Sequence, residues 1–343
     1  MGRDPFRKTL TPLCGGKVYR TCKVFKINPA RLTPRRVCEG TACYGDMDER
    51  NLFHAILISV GFLVGIFNGV VVAFQNSQFK KLKAIHSHVI NWTRFIVAIP
   101  IVALLVTIFS HWTLPPLHFW LILIFLSLPV EMLNSHYYVK AFQVSPQSLV
   151  GPLFSLSLIF LMPLSYFFLG EVPTTLGITG VVLVVLGTFF LGWDVEDPGF
   201  RASLKTIFKQ KGAIFMIIAG LGGALAVTFS KYSFRYVSPL EFAFFITVAL
   251  AVIYTPLALR RGISDVKDQP LELGLMNVAY GVGQSLHYIG LSLLPAAYYI
   301  SIKRSSILFD VLFGKFKYNE THFVPRLIGS FVMISGLACV ALA

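Results

Sequence analysis

The segment FLGEVPTTLGITGVVLVVLG, at residues 168–187, has a counterpart 149 residues later in KYNETHFVPRLIGSFVMISG, at residues 317–336. At this offset Glu171 aligns with Glu320. Two glycines seven residues apart in the first segment also align with two in the second: Gly180, Gly187, Gly329 and Gly336. Glycines with this spacing lie on one helix face and let a neighbouring backbone approach closely. The pattern therefore predicts an internal duplication whose last helices pack tightly through glycine.

The duplication extends towards the N-terminus of each half. Pro146, in QVSPQ, aligns with Pro295, in SLLPA, at the same offset. Proline suits the first turn of a helix because its missing N–H is not needed there. Each half is thus predicted to contain a helix opened by proline, a loop with an acidic residue, and a helix with spaced glycines. We interpret Glu171 and Glu320 as interfacial loop residues and not as substrate ligands.

The composition excludes a soluble protein with an ordinary surface. Of the 343 residues, 55% are hydrophobic and only 13% are charged, whereas soluble domains are about 25% charged. Ten segments approach the ~20 residues needed to cross a bilayer, and each must be helical because the bilayer core offers no water to backbone groups. The predicted spans are Leu52–Phe74, Val89–Phe109, Leu117–Ala141, Gln147–Leu169, Thr174–Gly192, Ala213–Ser230, Leu240–Leu259, Leu271–Leu294, Ala296–Phe313 and Phe323–Leu342.

Each half of the duplication contains five predicted spans, which is an odd number. The second half must then enter the membrane from the opposite side, as in the inverted repeats of secondary transporters. The predicted fold is an all-α polytopic membrane protein with ten transmembrane helices arranged as two inverted five-helix repeats. The predicted boundaries are 47–192 for the first repeat, 193–212 for a linker and 213–343 for the second repeat.

Residues 1–46 differ from the rest of the chain. They are basic, lack apolar periodicity and hold four of the five cysteines, but the cysteine spacing lacks the paired short knuckles of a zinc site. The segment also has no apolar region of the kind found in a signal peptide. We expect a disordered basic tail, or a translation start at Met47, and no metal.

The stretch YYISIKRSSILFD, at residues 298–310, places two adjacent cations in the middle of the ninth predicted span. A charge at that depth costs at least about 2.5–3.5 kcal/mol and normally faces a cavity or a partner. The equivalent positions of the first repeat are Phe154 and Ser155, so Lys303 and Arg304 are not needed to build the helix. We predict that they bind an anionic part of a substrate. The alternative is a buried structural bridge to Glu131.

Other polar residues within the spans complete the candidate site. Glu131 lies deep in the third span, and Asp310 follows Lys303 by seven residues on the same helix face, about 10 Å along the axis. Direct pairing is not expected at that distance, although both side chains can line one cavity. The predicted substrate-binding set is Lys303, Arg304, Tyr299, His287, Glu131 and Asp310. A histidine in the position of His287 is more often a satisfied core residue than a ligand. Four further cations are expected to extend to the lipid headgroups: Arg94, Lys140, Lys231 and Arg235.

The segments FFLGEVPTTLGITGVVLVVLGTFFLGW, at residues 167–193, and YNETHFVPRLIGSFVMISGLACVAL, at residues 318–342, resemble EamA-type members of the drug/metabolite transporter superfamily. The resemblance spans about residues 52–343. It implies secondary transport of small metabolites, usually across a bacterial inner membrane. The stretch SIKRSS also resembles the Lys–Arg pair of sugar-phosphate and nucleotide-sugar translocators, where that pair binds phosphate.

The sequence therefore predicts a multi-pass secondary transporter of a small, anionic metabolite that works by alternating access. The alternatives are an exporter of neutral or zwitterionic metabolites such as amino acids, and a membrane-embedded enzyme acting on a lipid-linked substrate. The repeat argues against the enzyme, and no Walker A, HExxH or GxSxG pattern supports catalysis. The expected partners are a small-molecule substrate and the lipid bilayer, without nucleic acid or a cofactor. Membrane orientation, transport direction, coupling ion and oligomeric state are left open.

Overall fold

A computed structural model of the chain describes residues 46–191, 205, 207–262, 266, 269–320 and 323–342. Regular structure within these ranges is helical, and no strand occurs in them. The predicted tail, apart from Asp46, and most of the predicted linker lie outside the described residues.

Five helices form the first half: α1 (Asp46–Lys81), α2 (Ser87–Phe109), α3 (Leu117–Val144), α4 (Gln147–Leu169) and α5 (Thr175–Leu191). The second half repeats this order with α6 (Lys211–Ser233), α7 (Pro239–Arg261), α8 (Pro270–Leu293), the divided helix α9a (Ala296–Lys303) and α9b (Ser306–Tyr318), and α10 (Phe323–Ala341).

Seven helices in the described part of the chain are long and apolar enough to cross a membrane: α1, α2, α3, α4, α6, α7 and α10. The apolar part of α5 is shorter. The helix α8 carries buried polar side chains such as Asn277 and Gln284, and α9 is divided into two short segments. The all-helical membrane fold is thus confirmed, whereas the count of ten spans stays a prediction.

The helices pair with two-fold pseudosymmetry. Helix α1 packs against α8 and α3 packs against α6, which is the same pairing with the two halves exchanged. Helices α2 and α7, α4 and α9b, and α5 and α10 each pair a helix with its own counterpart. The two halves therefore contact each other as two copies of one unit, and their shared interior lies between α4 and α9.

The repeat is exact in register at the ends of α4 and α9. These helices begin at Gln147 and Ala296, which are 149 residues apart. They end at Gly170 and Asn319, which have the same separation and left-handed backbones, with φ of 71° and 49°. Glycine and asparagine are the residues that most readily take this conformation after a helix. The duplication thus fixes the helix ends as well as the order of helices.

Both helices are also interrupted at the same point. The α-helical pattern of α4 gives way to a 3-10 turn at Phe154–Leu156, and α9 is broken between Lys303 and Ser306. At the break, the backbone N–H of Arg304 donates to the carbonyls of Ile300 and Ser301. The sequence predicts one continuous helix over Ala296–Phe313, and hydrophobicity alone does not reveal the change in hydrogen bonding. The break places the Lys–Arg pair at the point where the α-helical pattern of α9 is interrupted.

The first backbone N–H groups of α4 are capped by a carboxylate from the second half. Glu320 accepts hydrogen bonds from the backbone N–H of Gln147 at 2.8 Å and of Ser148 at 3.0 Å. Lys80, at the end of α1, forms an ion pair with the same carboxylate, and Arg326 Nη1 lies 3.6 Å from it. Helix N-termini leave such N–H groups unpaired and attract anions. Glu320 is therefore a cap that joins the two halves.

The start of α9a is capped in the equivalent way by the first half. Glu171 accepts a hydrogen bond from the backbone N–H of Ala296 at 3.2 Å. Lys231, at the end of α6, donates to the same carboxylate at 2.6 Å and to the carbonyl of Leu294 at 2.8 Å. Lys231 therefore pairs inside the protein, in contrast to the expectation that it extends to the headgroups. The acidic loop residues of the repeat are reciprocal caps.

The glycines of the repeat bring α5 and α10 into backbone contact, which confirms their predicted packing role. A Cβ on Gly180 would lie 2.4 Å from the carbonyl oxygen of Gly336, and a Cβ on Gly336 would lie 2.4 Å from that of Gly180. Gly187 and Gly329 have the same mutual relation, at 2.8 and 2.7 Å. A side chain at any of these positions would push the two helices apart.

We expect Gly336→Ala to lower the melting temperature in detergent, because an added methyl in this contact costs about 1–3 kcal/mol. The matched control is Gly274→Ala on α8, where an added Cβ meets no atom within 4 Å. At such an open helical site alanine stabilises by about 0.4–1 kcal/mol. The two variants should shift stability in opposite directions, and equal shifts would contradict the close packing of α5 and α10.

A second prediction concerns Glu320. Burial alone would raise the pKa of its carboxyl, but the hydrogen bonds from Lys80 and Ser148 outweigh burial and hold the pKa below its usual range. A lowered folded-state pKa contributes stability above the ordinary pKa of glutamate, and this contribution is lost as the pH falls through the folded-state value.

We therefore expect Glu320→Gln to lower the free energy of unfolding by about 1.5–3 kcal/mol near neutral pH, which is the usual cost of removing hydrogen bonds to a charged group. The difference in melting temperature from the parent protein should shrink as the pH falls into the acidic range. Glu272→Gln serves as the control, since its ion pair with Lys81 is long, at 3.9 Å, and partly exposed. A pH-independent difference for Glu320→Gln would show that its charge does not stabilise the cap.

Candidate functional site

A polar cavity of about 130 Å³ lies between the two halves, at the broken segments of α4 and α9a. Side chains from α1, α2, α3, α4, α6, α8 and α9 line it. A larger groove of about 620 Å³ runs between α1 and α8, but its lining consists of apolar side chains, a proline and a glycine. Recognition of a polar metabolite requires hydrogen-bonding groups, so the smaller cavity is the candidate site.

Lys303 and Arg304 both line this cavity. The Lys303 ammonium lies 3.4 Å from Nδ1 of His287, which faces the same space. Arg304 is only 6% exposed, and its Nη2 donates to the Ser157 hydroxyl at 3.2 Å. Its Nε is buried without a hydrogen-bond partner. The two cations therefore retain donors that no side chain of the described structure occupies.

The aromatic ring of Phe154 supports this wall from the first half. The Arg304 guanidinium lies over the ring at 3.9 Å from its centroid, a geometry that stabilises a cation. Phe154 is the repeat equivalent of Lys303, so the two breaks meet face to face. The helix interruptions thus bring the stacked arginine and its aromatic partner together at the centre of the protein.

Glu131 lies in the same cavity, on α3. It follows a π-helical turn at Leu123–Ser127, which precedes Pro129. Proline has no N–H to donate to the preceding turn, so the backbone hydrogen bonds change from the α-helical to the π-helical pattern just before Glu131. The Glu131 carboxylate is reached by the Asn134 amide at 3.4 and 3.5 Å. Its partial exposure is to the cavity and not to the outside.

Arg94 is a site residue that the sequence did not predict. It was expected to extend to the headgroups, but it is 5% exposed and lines the cavity. Its guanidinium lies 4.6 Å from the Tyr280 ring centroid and 5.0 Å from that of Phe95, and its Nε has no partner. An arginine in the first third of a span commonly reaches the surface. The ring of the adjacent Phe95 and that of Tyr280, which is distant in the sequence, hold the guanidinium inside.

The direct bridge between Glu131 and the Lys–Arg pair, considered from the sequence, is not formed. Among the described residues, the ion pairs within 4.0 Å join other lysines and one arginine to Glu171, Glu272 and Glu320. Lys303 and Arg304 are thus in the same cavity as Glu131 without contacting it. The site presents cations and a carboxylate that are each available to a ligand.

Tyr299 and Asp310 lie outside the cavity lining. The Tyr299 hydroxyl accepts from the Asn68 amide at 2.7 Å and donates to the Leu286 carbonyl at 3.1 Å. Asp310 is 1% exposed and accepts from the Asn76 amide at 3.0 Å and from the Gln147 amide at 2.9 Å. The sequence placed Asp310 on the face of Lys303, but the amides of Asn76 on α1 and Gln147 on α4 hold its carboxylate outside the lining. Both residues tie α9 to neighbouring helices.

Of the predicted set, the structure therefore brings four residues to one cavity: Lys303, Arg304, His287 and Glu131. Several lining residues were missed because aromatic, hydroxyl and amide side chains carry no distinctive sequence signal within apolar helices. They include Asn134, Tyr138, Phe154, Ser157, Tyr280, Gln284 and Tyr288. Among the described residues, no group of three or more His, Cys, Asp or Glu side chains is arranged to hold a metal ion.

Comparison with known proteins agrees with this architecture. A family profile described as the EamA-like transporter family matches residues 55–193 and 210–342, one match for each half of the duplication. Twenty-six chains of solved structures are similar. One of them, titled "Crystal structure of protein", has a TM-score of 0.62 and 14% sequence identity, and the alignment covers 83% of this chain and 97% of that one. At this identity the likeness shows the fold alone.

No curated protein matches the sequence. The two family matches cover most of the chain, and the family they define is one of transporters, which argues against the alternative of a lipid-modifying enzyme. A multi-pass membrane protein with a small-molecule substrate follows from that membership together with the long apolar helices. The chain belongs to the EamA-like transporter family.

Proposed function

We propose that the protein is a secondary transporter that moves a small organic anion, phosphorylated or carboxylated, across the membrane by alternating access. The observation that carries the proposal is the cavity at the break in α9, where Lys303 and Arg304 have no carboxylate partner within 4.0 Å among the described residues. Buried cations without a directly contacting carboxylate are costly, and an anionic ligand would supply that contact.

The chemistry of the two side chains supports an anion with several oxygens. An arginine offers a planar fork that matches phosphate or carboxylate, and a lysine offers a compact charge with rotatable donors. The stacking of Arg304 on Phe154 fixes the plane of its guanidinium, and the Lys303 ammonium lies beside His287. This arrangement orients several donors towards one small space.

The proposed mechanism uses ten spans in two inverted repeats. If the repeats are inverted, the caps made by Glu171 and Glu320 lie at opposite faces of the membrane, because the helices α4 and α9 that they cap start from opposite sides. Opening one capped end while the other stays closed exposes the cavity to one side at a time. The reciprocal packing of α5 and α10 supplies a fixed contact around which the halves can rock.

The proposed location is the inner (plasma) membrane. The support is the resemblance to EamA-type transporters, which are usually found there, and the multi-pass fold.

One observation favours a second candidate, an exporter of zwitterionic metabolites such as amino acids. Glu131 shares the cavity with Lys303 and Arg304, so a ligand with both an ammonium and a carboxylate finds a partner for each group. A binding panel separates the candidates when it contains sulfate and succinate as anions and alanine as the zwitterion.

We expect Lys303→Gln and Arg304→Gln each to weaken anion binding roughly tenfold or more, since a hydrogen bond to a charged group contributes about 1.5–3 kcal/mol. Melting temperature should change little, because neither cation makes a direct contact with a carboxylate within 4.0 Å in the described structure. Lys315→Gln is the matched control, on α9b outside the cavity, and should bind as the parent does. Titration calorimetry in detergent, beside thermal melting of the same samples, measures both quantities.

Two outcomes would contradict the proposal. The first is binding of alanine without binding of either anion, which would favour the zwitterion exporter. The second is a large loss of stability in both single variants that is restored when Glu131→Gln is added. Removing one member of a buried charge pair costs about 3–5 kcal/mol, so that pattern would assign Lys303 and Arg304 to the framework.

A further inference from the structure

We infer that Glu131 is the resident counter-ion of the anion site and that it takes up a proton when the anion binds, so that transport is a symport of anion and proton. The inference rests on the proposed function, because it needs an anion at Lys303 and Arg304. It adds the coupling ion and the residue that carries it.

The first support is the charge balance of the cavity. Among the described side chains that line it, three carry basic groups, Arg94, Lys303 and Arg304, and one is a carboxylate, Glu131. With the cavity empty, the Glu131 carboxylate is the lining charge that acts on Arg94 and Lys303, while the buried Asp310 carboxylate, outside the lining, acts on Arg304. An arriving anion performs the same role at the same cations.

The second support is the weak local hold on the carboxylate. Its hydrogen-bond contacts are those from Asn134, at 3.4 and 3.5 Å, near the limit for such a bond. No cation among the described residues lies within 4.0 Å of it. The charged and titratable groups that face it come from four elements: Arg94 on α2, Tyr254 on α7, Tyr280 and Tyr288 on α8, and Lys303 on α9a.

These facts give a defined sequence of events. An anion that enters the cavity of about 130 Å³ lies among the same cations that balance Glu131. Two negative charges sharing a small, poorly hydrated site favour protonation of one of them. A proton from water on the open side binds a carboxylate oxygen of Glu131, and Glu131 becomes neutral. When the anion leaves on the other side, the proton leaves the same oxygen and the carboxylate again balances the cations.

If Glu131 competes with the anion for the cations, replacing Glu131 changes anion affinity in the opposite direction from that expected if Glu131 binds the ligand. If Glu131 competes with the anion, its neutralisation strengthens anion binding. If Glu131 instead binds the ammonium of a zwitterion or props up the fold, its neutralisation weakens binding or stability. The direction of change in affinity therefore separates these roles.

The test is titration of the full-length protein with sulfate and with succinate, in buffers that differ in ionisation enthalpy. Neither ligand takes up a proton itself near neutral pH, so the buffer dependence reports protons taken up by the protein. We expect the parent protein to gain up to one proton per anion, and to bind the anion more weakly as the pH rises.

For Glu131→Gln we expect at least tenfold tighter anion binding, a change of about 1.4 kcal/mol, with no proton uptake attributable to this site. In vesicles, the variant should exchange anions across the membrane but should not drive uptake with a pH gradient. Glu272→Gln removes a carboxylate outside the cavity and should behave as the parent does.

The possible failures are distinguishable. If the parent binds neither anion, or if Lys303→Gln binds as the parent does, the proposed anion site is wrong and the inference fails with it. If the parent binds anions through Lys303 but Glu131→Gln shows equal or weaker affinity, or unchanged proton uptake, the anion site stands and the role of Glu131 is refuted. Tighter alanine binding by the parent than by Glu131→Gln would assign the carboxylate to an ammonium.

Discussion

The architecture depends on two carboxylates that each satisfy the backbone of the opposite half. A helix that starts inside a membrane protein leaves N–H groups for which no water is available. Glu320 satisfies those of α4, and Glu171 satisfies that of α9a. The same two contacts therefore hold the starts of α4 and α9, whose interruptions border the cavity. Neither half supplies the carboxylate that caps its own helix, so α4 and α9 each depend on the opposite half for this contact.

The cavity combines a symmetric backbone with asymmetric side chains. The interruptions at Phe154–Leu156 and at Arg304–Ser305 occur at matching positions of the repeat, so the fold itself provides two equivalent breaks. Chemistry differs because one break carries Phe154 and the other carries Lys303 followed by Arg304. The aromatic ring then stabilises the guanidinium across the interface. The repeated backbone provides the two breaks, and the charged side chains at the breaks belong to α9.

Features set by local pattern could be predicted from the sequence, and features set by tertiary contact could not. The spaced glycines predicted a close helix pair, and α5 and α10 form it. The prediction that the Lys–Arg pair faces an interior cavity depended only on the cost of placing charges in the middle of an apolar span. That cost can be recognised from the sequence of the one helix. The inward position of Arg94 depends on Tyr280, which is 186 residues away in the chain. The position of Asp310 outside the cavity lining depends on Asn76 and Gln147, which are distant in the chain and donate to its carboxylate.

Three helices pair with their own counterparts and the others pair in exchanged fashion, which is the form of an isologous dimer interface contained in one chain. In a dimer of identical chains, every contact with a central ligand would occur twice, and the ligand would bind in two equivalent poses. Here Phe154 occupies the place that Lys303 has in the other half, so the two poses differ in energy. Under the proposed function, a ligand with one anionic end would therefore meet the adjacent Lys303 and Arg304 at only one of the two breaks, and it would keep that end towards α9 while it crosses.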